Sequence, residues 1–199
     1  MRMIKKEYDQ MTDEQLVIGM AGGDQRAFDK LYGRYSSALL SYFMRMLWRD
    51  REKSEDFVHD FFTKLIHRPE LFDTTRSFKT WMYSVANNMC KNEYKKQEIR
   101  KNTSNGLDHT YSVSDVNKNT ENQVHHVLFK EAYDYQVTQL EDKHREVFEM
   151  RHFDGLSIKE IAEALEISEG TIKSRLFYAT KYLAQGLKEY QPEHHTKQS

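Results

Sequence analysis

The sequence is poor in proline, glycine and cysteine, and each shortage narrows the possibilities. Two prolines and eight glycines in 199 residues are too few for the many tight turns of an all-β protein. Cys90 has no second cysteine to pair with in the chain, so a reducing cytoplasm is the expected compartment. No apolar run approaches the roughly 18 residues that a membrane span needs, so no membrane insertion is expected. The opening MRMIKKEYDQ lacks the apolar core of a signal peptide. No phosphate-binding glycine loop, catalytic triad or paired-acid constellation occurs. The histidine pairs His125-His126 and His194-His195 have no cysteine or carboxylate frame around them. Enzymatic activity, a cofactor and a bound metal are therefore not expected.

What is present is a chain able to build packed cores, with 38% hydrophobic residues and a net charge of only −1. The charge is unevenly spread. Residues 50–60 hold five acids against two bases. Residues 87–101 reverse this, with five bases against two acids, and residues 168–188 hold four bases against one acid. Two basic helices and one acidic stretch suggest two surfaces for DNA and one for something else, although a charge run taken alone is more often a solvated face.

The hydrophobic pattern is helical almost throughout. Thr12 and Gln15 form a capping box ahead of a short helix that stops at Gly22-Gly23. Asp24 caps a long helix in which Phe28, Leu31, Tyr32, Tyr35, Leu39, Tyr42, Phe43, Met46 and Leu47 recur at three- and four-residue spacing. Ser54 is the expected cap of a third helix, with Phe57, Val58, Phe61, Phe62, Leu65 and Ile66 as its buried stripe, ended by Pro69. A polar loop leads to Ser77, which caps a fourth helix burying Phe78, Trp81, Met82, Val85, Ala86 and Met89. These helices make a first domain over residues 10–97. Residues 98–123 are dominated by Asn, Ser, Thr and Asp, which compete with helical hydrogen bonds, and read as a flexible linker with weak contacts across it. Helical patterning returns over 124–190. The expected fold class is all-α, two small helical domains joined by that linker.

The strongest motif lies in residues 155–183. Ser157 caps a short amphipathic helix, Glu166-Ile167-Ser168 is a tight connection, and Ser168 opens a longer helix. Ile161, Ala162, Leu165, Ile167, Ile172 and Leu176 form the shared core. This pattern predicts a helix-turn-helix whose second helix lies in the major groove, with a plain helical hairpin as the alternative. Glu166 stands where glycine is the commoner turn residue. Gly170 lets the backbone approach DNA, and Lys173, Ser174, Phe177 and Tyr178 project from the exposed side as base readers. Arg175 and Lys181 lie further round, towards phosphates, and Thr171 joins the set.

Four segments in order resemble the extracytoplasmic-function (ECF) subfamily of sigma-70 RNA polymerase sigma factors. GLSIKEIAEALEISEGTIKSRLFYATKYL and the preceding LEDKHREVFEMRHFD are similar to its C-terminal domain. DEQLVIGMAGGDQRAFDKLYGRYSSAL resembles its opening helices, SEDFVHDFFTKLI its polymerase-binding helix, and SFKTWMYSVANNMCKNEYKK its promoter-melting helix. The resemblance implies a transcription initiation factor. Its first domain would bind the β′ clamp helices of core RNA polymerase and capture the minus-ten element as single strand. Its second would read the minus-thirty-five element as duplex and meet the β flap, and an anti-sigma factor would mask these surfaces.

The same resemblance places roles on residues. Asp56, His59, Asp60 and Thr63 share one exposed face of the third helix and would contact polymerase; His59 stands where the family usually has Gln. Asp73, Thr74, Thr75, Arg76 and Ser77 match the loop that cups a flipped base, small hydroxyls suiting the base edge and Arg76 a phosphate. Read without the resemblance, the acidic face is equally a solvated one and the loop equally an ordinary cap. Lys79, Tyr83, Asn87, Asn88 and Lys91 lie off the expected buried stripe of the fourth helix, placed to grip unstacked DNA. Tyr178 stands where many relatives carry Arg. A helix-turn-helix regulator would need a dimer surface or sensory domain, and a nuclease clustered carboxylates; neither is found.

Overall fold

In the computed structural model, residues 8–103 and 121–190 are described, and their regular elements are helices throughout. Helix α1 (Asp13–Ala21) begins at the expected capping box, Thr12 Oγ1 accepting from the Gln15 amide at 3.2 Å and Gln15 Oε1 from the Thr12 amide at 2.9 Å. Gly23, at φ 90°, turns the chain into α2 (Gln25–Met46). Asp24 caps α2 through the amides of Arg26 and Ala27. Ala27, Leu31, Leu39, Tyr42, Phe43 and Met46 are buried along α2, largely on the face that the spacing predicts, but Tyr32, expected on it, is 43% exposed. Trp48 and Arg49 then adopt positive φ of 52° and 59°, a left-handed corner built without glycine. The Trp48 ring packs edge-on against Tyr94, which holds the corner.

Helix α3 (Arg51–His67) starts one turn earlier than the expected cap at Ser54. Asp50 is the cap, accepting from the Lys53 amide at 3.0 Å, and Ser54 is a buried residue whose hydroxyl donates to the Asp50 carbonyl at 2.6 Å. A mid-helix serine that bonds back to a carbonyl four residues earlier is easily mistaken for a cap. Ile66, expected in the buried stripe, is exposed. Pro69 ends the helix as a 3-10 turn, Pro69–Leu71. Helix α4 (Phe78–Thr103) runs several residues into the stretch expected to be linker, and α5 (Glu121–Thr138) begins before that stretch was expected to end. The remainder of the expected linker lies outside the described residues. Helices α1–α4 enclose Leu16, Leu31, Phe43, Phe61, Phe78 and Met82.

The second unit comprises α5, α6 (Asp142–His152), α7 (Ile158–Leu165) and α8 (Glu169–Gly186). Gly155, at φ 66°, makes the turn after α6. Ser157 and Glu160 close a reciprocal capping box on α7, and Ser168 caps α8 through the Thr171 amide. Glu166, between α7 and α8, sits at φ 56°. The helix-turn-helix is thus formed with a non-glycine residue in a left-handed turn, a conformation that costs an L-residue about 1–2 kcal/mol. Ile161 and Ile172 are fully buried between the two helices and neighbouring elements.

The expectation of weak contact between the two units does not hold. Val147, Met150, Leu156, Ile161 and Ile172 join the apolar cluster of α1–α4, and α7 packs along α4. Composition spoke only for the segment between the units, not for their facing surfaces. Glu166→Gly relieves the left-handed strain in the turn. It should raise the unfolding free energy by about 1 kcal/mol, after glycine's own entropic disadvantage. Urea unfolding checks this, and no gain would show that the turn is unstrained.

Candidate nucleic-acid and polymerase interface

The exposed face of α8 is the expected one. Lys173, Ser174 and Lys181 are exposed, as are Phe177 at 63% and Tyr178 at 55%, while Ile172 and Ala179 point inward. Two large aromatic rings so exposed are unusual for a solvent face and offer flat apolar contact. Phe177 packs edge-on against Tyr178 at 5.6 Å between centroids. Gly170 is exposed at the first turn, with only the Ser168 hydroxyl within 4 Å of where a Cβ would lie. The Thr171 hydroxyl lies 2.9 Å from that of Ser168, so it supports the cap.

Two features of this face were not legible in the sequence. His144, at the start of α6, lies 6.0 Å from the Tyr178 ring and extends the aromatic surface beyond α8. Partial burial, with Lys143 and Arg175 nearby, holds its imidazole below the usual value against the opposing pull of Glu141. An isolated histidine in a polar turn carries no pattern that would announce it. Arg175, expected to face phosphates, turns inward instead, its Nη1 donating to Glu146 Oε1 at 2.8 Å.

The loop from Asp73 to Ser77 is exposed along its length. Asp73 Oδ1 accepts from the Thr75 amide at 2.9 Å and the Thr75 hydroxyl at 2.7 Å, and these bonds hold its carboxyl below the usual range. Ser77 Oγ accepts from the Thr80 amide, as expected of a cap. Glu14 of α1 accepts from the Phe78 amide at 3.0 Å, so α1 braces the foot of the loop. Thr74 remains exposed, and Arg76 Nη2 reaches Glu163 of α7 at 3.0 Å.

On α4 the expectation is only partly met. Asn88 is exposed, Lys79 is half-buried and Lys91 keeps much of its side chain in solvent. Tyr83 and Asn87 are each only 2% exposed, which corrects their placement off the buried stripe. The second unit covers them. Asn87 accepts from the Tyr42 hydroxyl and donates to Glu146 Oε2, and Tyr83 lies beside Asp154. A helix covered on two sides buries more than one stripe, and spacing along one helix does not reveal the second cover.

On α3, Asp56, His59 and Asp60 are exposed and Thr63 half-buried, which forms the expected polar face. His59 Nε2 lies 3.4 Å from the Thr63 hydroxyl. Beside this face runs an open apolar groove between α2 and α3, lined by Phe28, Tyr32, Leu40, Val58, Phe62 and Ile66. Polar face and apolar groove together make an amphipathic surface.

Between the units lies a buried charged seam. Arg45 of α2 contacts Glu149 and Asp154, with Nη2 at 2.7 Å from Asp154 Oδ1. Its Nε is in ionic contact with Glu149 Oε2, but neither atom is aligned for a hydrogen bond. Glu146, 2% exposed, gathers Asn87 and Lys91 on Oε2, each at 3.0 Å, and Arg175 on Oε1. The acids at 146 and 149 border the buried Val147 and Met150, and that adjacency is the one sequence signal that would have marked them.

Comparison with known proteins agrees with this geometry. The model of sigma-70 region 2 matches residues 31–99, and that of sigma-70 region 4 matches residues 130–183. The ECF RNA polymerase sigma factor SigL of Mycobacterium tuberculosis is 30% identical over 87% of this chain and 96% of its own length. The chain belongs to the ECF sigma factors of the sigma-70 family. Bacillus subtilis SigW is 26% identical, with 94% and 98% covered. Among solved structures, RpoE of Bartonella quintana in complex with the anti-sigma factor NepR has a TM-score of 0.66 at 20% identity, covering 81% of this chain and 96% of that one. CnrH in complex with the cytosolic domain of CnrY has a TM-score of 0.63 at 21% identity, covering 89% and 97%. As an ECF sigma factor the protein binds core RNA polymerase, recognises promoter minus-ten and minus-thirty-five elements and initiates transcription. Region 2 takes in α3, the Asp73–Ser77 loop and most of α4, and region 4 the helix-turn-helix. No described helix is long and apolar enough to cross a membrane.

The buried acids of the seam should make the packing of this sigma factor sensitive to pH. Burial pushes the Glu149 carboxyl up to about 7, with Arg45 opposing and Asp154 adding to the rise; burial raises Asp154 as well. Arg145, Tyr133, Tyr83 and Lys79 complete the charged and titratable surroundings of the two acids. A carboxyl raised in the packed state binds its proton more tightly there than in the separated state. Its contribution to packing is full below its ordinary value and is lost as pH rises through about 7. Small-angle scattering should show the chain loosening between about pH 5 and about pH 8, and Glu149→Gln should flatten that change. An unchanged slope in Glu149→Gln would remove Glu149 as its source.

Proposed function

We propose that three surfaces divide the work of this sigma factor. The polar face of α3, with Asp56, His59, Asp60 and Thr63, meets the β′ clamp helices, the adjacent groove taking apolar side chains. The β flap contact falls to the second unit. The loop Asp73–Ser77 holds one unstacked base of the melted minus-ten strand, with Lys79, Asn88 and Lys91 gripping its backbone. On α8, Lys173, Ser174, Phe177 and Tyr178 read the minus-thirty-five duplex, Gly170 and Thr171 lie at its first turn, and Lys181 serves phosphates, while Arg175 braces α8 against Glu146. Two similar structures hold an anti-sigma factor, which supports an anti-sigma partner here too. The cytoplasm is the compartment that fits.

The observation that carries the reading is the row of exposed bases and aromatics on a capped helix whose opposite side buries Ile172, Ala179 and Leu183. Base contacts specify and phosphate contacts position, and each good base contact contributes about 1–3 kcal/mol of discrimination. Lys173→Ala should therefore rearrange the order of promoters used with core polymerase. Lys181→Ala should weaken all of them about equally and reduce the salt dependence. A promoter-selection assay on both variants at two salt concentrations checks this, and the reverse pattern would exchange the two roles.

The α3 face has its own test. Charge reversal at both Asp56 and Asp60 should lower affinity for core polymerase about tenfold or more, as expected where several charge contacts invert together. Competition against the unaltered protein for core measures it. Normal competition would move polymerase binding away from this face.

A further inference from the structure

Three rings form a row that runs from α8 onto a second helix. Phe177 meets the Tyr178 ring edge-on, and His144 of α6 lies 6.0 Å from that same ring with the two planes 34° apart. Tyr182, one turn further along α8, is exposed as well. The charged residues within one turn of Phe177 and Tyr178 are Lys173, Arg175 and Lys181, all of them bases. Near His144, Glu141 is paired with Lys143 at 2.6 Å. Rings flanked by bases alone fit a polyanion that carries apolar groups between its charges, and the major groove of DNA is such a surface.

Lys173 and Ser174 can address hydrogen-bonding groups on base edges. A ring face cannot, and the one apolar group that base pairs expose in the major groove is the 5-methyl of thymine. Covering a methyl with a ring is favourable only if the ring is already held, because ordering a mobile side chain costs what the contact gains. Tyr178 is more than half exposed, and the neighbour that holds it from outside α8 is His144. Partial burial keeps the imidazole below its usual value, so near neutral pH it packs as an uncharged ring. We propose that Tyr178 reads the 5-methyl group of a thymine in the minus-thirty-five duplex, and that His144 is the positioning residue that sets the Tyr178 ring for it. One base is then specified by two helices, α8 supplying the contact and α6 its orientation.

The proposal rests on α8 lying in the major groove. Lys173→Ala tests that reading separately, because Lys173 lies outside the row of rings. The probe is the promoter fragment recovered most often in the selection, with each minus-thirty-five thymine of either strand replaced singly by deoxyuridine. That exchange removes the methyl and leaves every hydrogen-bonding group in place. The full-length chain with core polymerase should bind one of these fragments about fourfold more weakly than the parent, the loss expected for one buried methyl-sized group. Tyr178→Ala should abolish the difference at that position. His144→Ala should reduce it, and His144→Phe, which keeps a ring but no nitrogen, should restore it. Equal binding of all the deoxyuridine fragments overturns the methyl contact. A methyl effect that persists in Tyr178→Ala overturns Tyr178 as its reader, and Tyr178→Ala binding every fragment as the unaltered chain does leaves the rings to a protein partner instead. An undiminished methyl effect in His144→Ala overturns the positioning role. So does a His144→Phe chain that binds all fragments more weakly in proportion, which marks a phosphate contact through the imidazole.

Discussion

The arrangement of the whole protein depends on one buried carboxylate. Glu146 is nearly inaccessible, and its charge is compensated only because α4 and α8 both send donors to it. An unpaired buried charge would be costly, so α6 must keep contact with both helices or be exposed to water. The relative placement of the two units follows from that demand as much as from the apolar cluster they share. Arg45 adds the same logic one turn along α6, holding two acids where a single cation leaves polar atoms without hydrogen bonds.

Much of the fold is legible in the residues themselves. Thr12, Asp24, Ser157 and Ser168 cap helices where their spacing to the next apolar stripe says they should. Ser54 misleads because Asp50, a better cap, lies one turn ahead and the serine is satisfied by a backbone carbonyl inside the helix. The exposed face of α8 is legible because the helix buries one stripe and leaves the rest to solvent. The same reasoning fails for Tyr83 and Asn87, which are covered by a unit more than fifty positions away in sequence, Asn87 reaching Glu146 across 59 residues. Periodicity reports the pattern of one helix; it does not report how many partners that helix has.

The candidate surfaces differ in how they are supported. The Asp73–Ser77 loop is built from local bonds, Asp73 to Thr75 and Ser77 to Thr80, and its chemistry is visible in five consecutive residues. The α8 surface borrows from elsewhere, since His144 on α6 completes its row of rings. The α3 surface adjoins a groove that needs α2 as its other wall. Short-range sites survive inspection of the sequence intact, whereas composite sites are seen only in part.

Glu14 has a wider consequence. It lies on α1, ahead of the region 2 match, and its carboxylate accepts from the first amide of α4 directly after the Asp73–Ser77 loop. Helix N-termini leave amides unsatisfied, and here one is satisfied by a side chain borrowed from 64 residues earlier. The loop is therefore not a self-sufficient cassette. Grafting Asp73–Ser77 into a relative transfers its side chains but not the strut beneath them, and the graft inherits whatever the recipient's first helix provides. The transferable structural unit is the loop together with the helix that holds its foot.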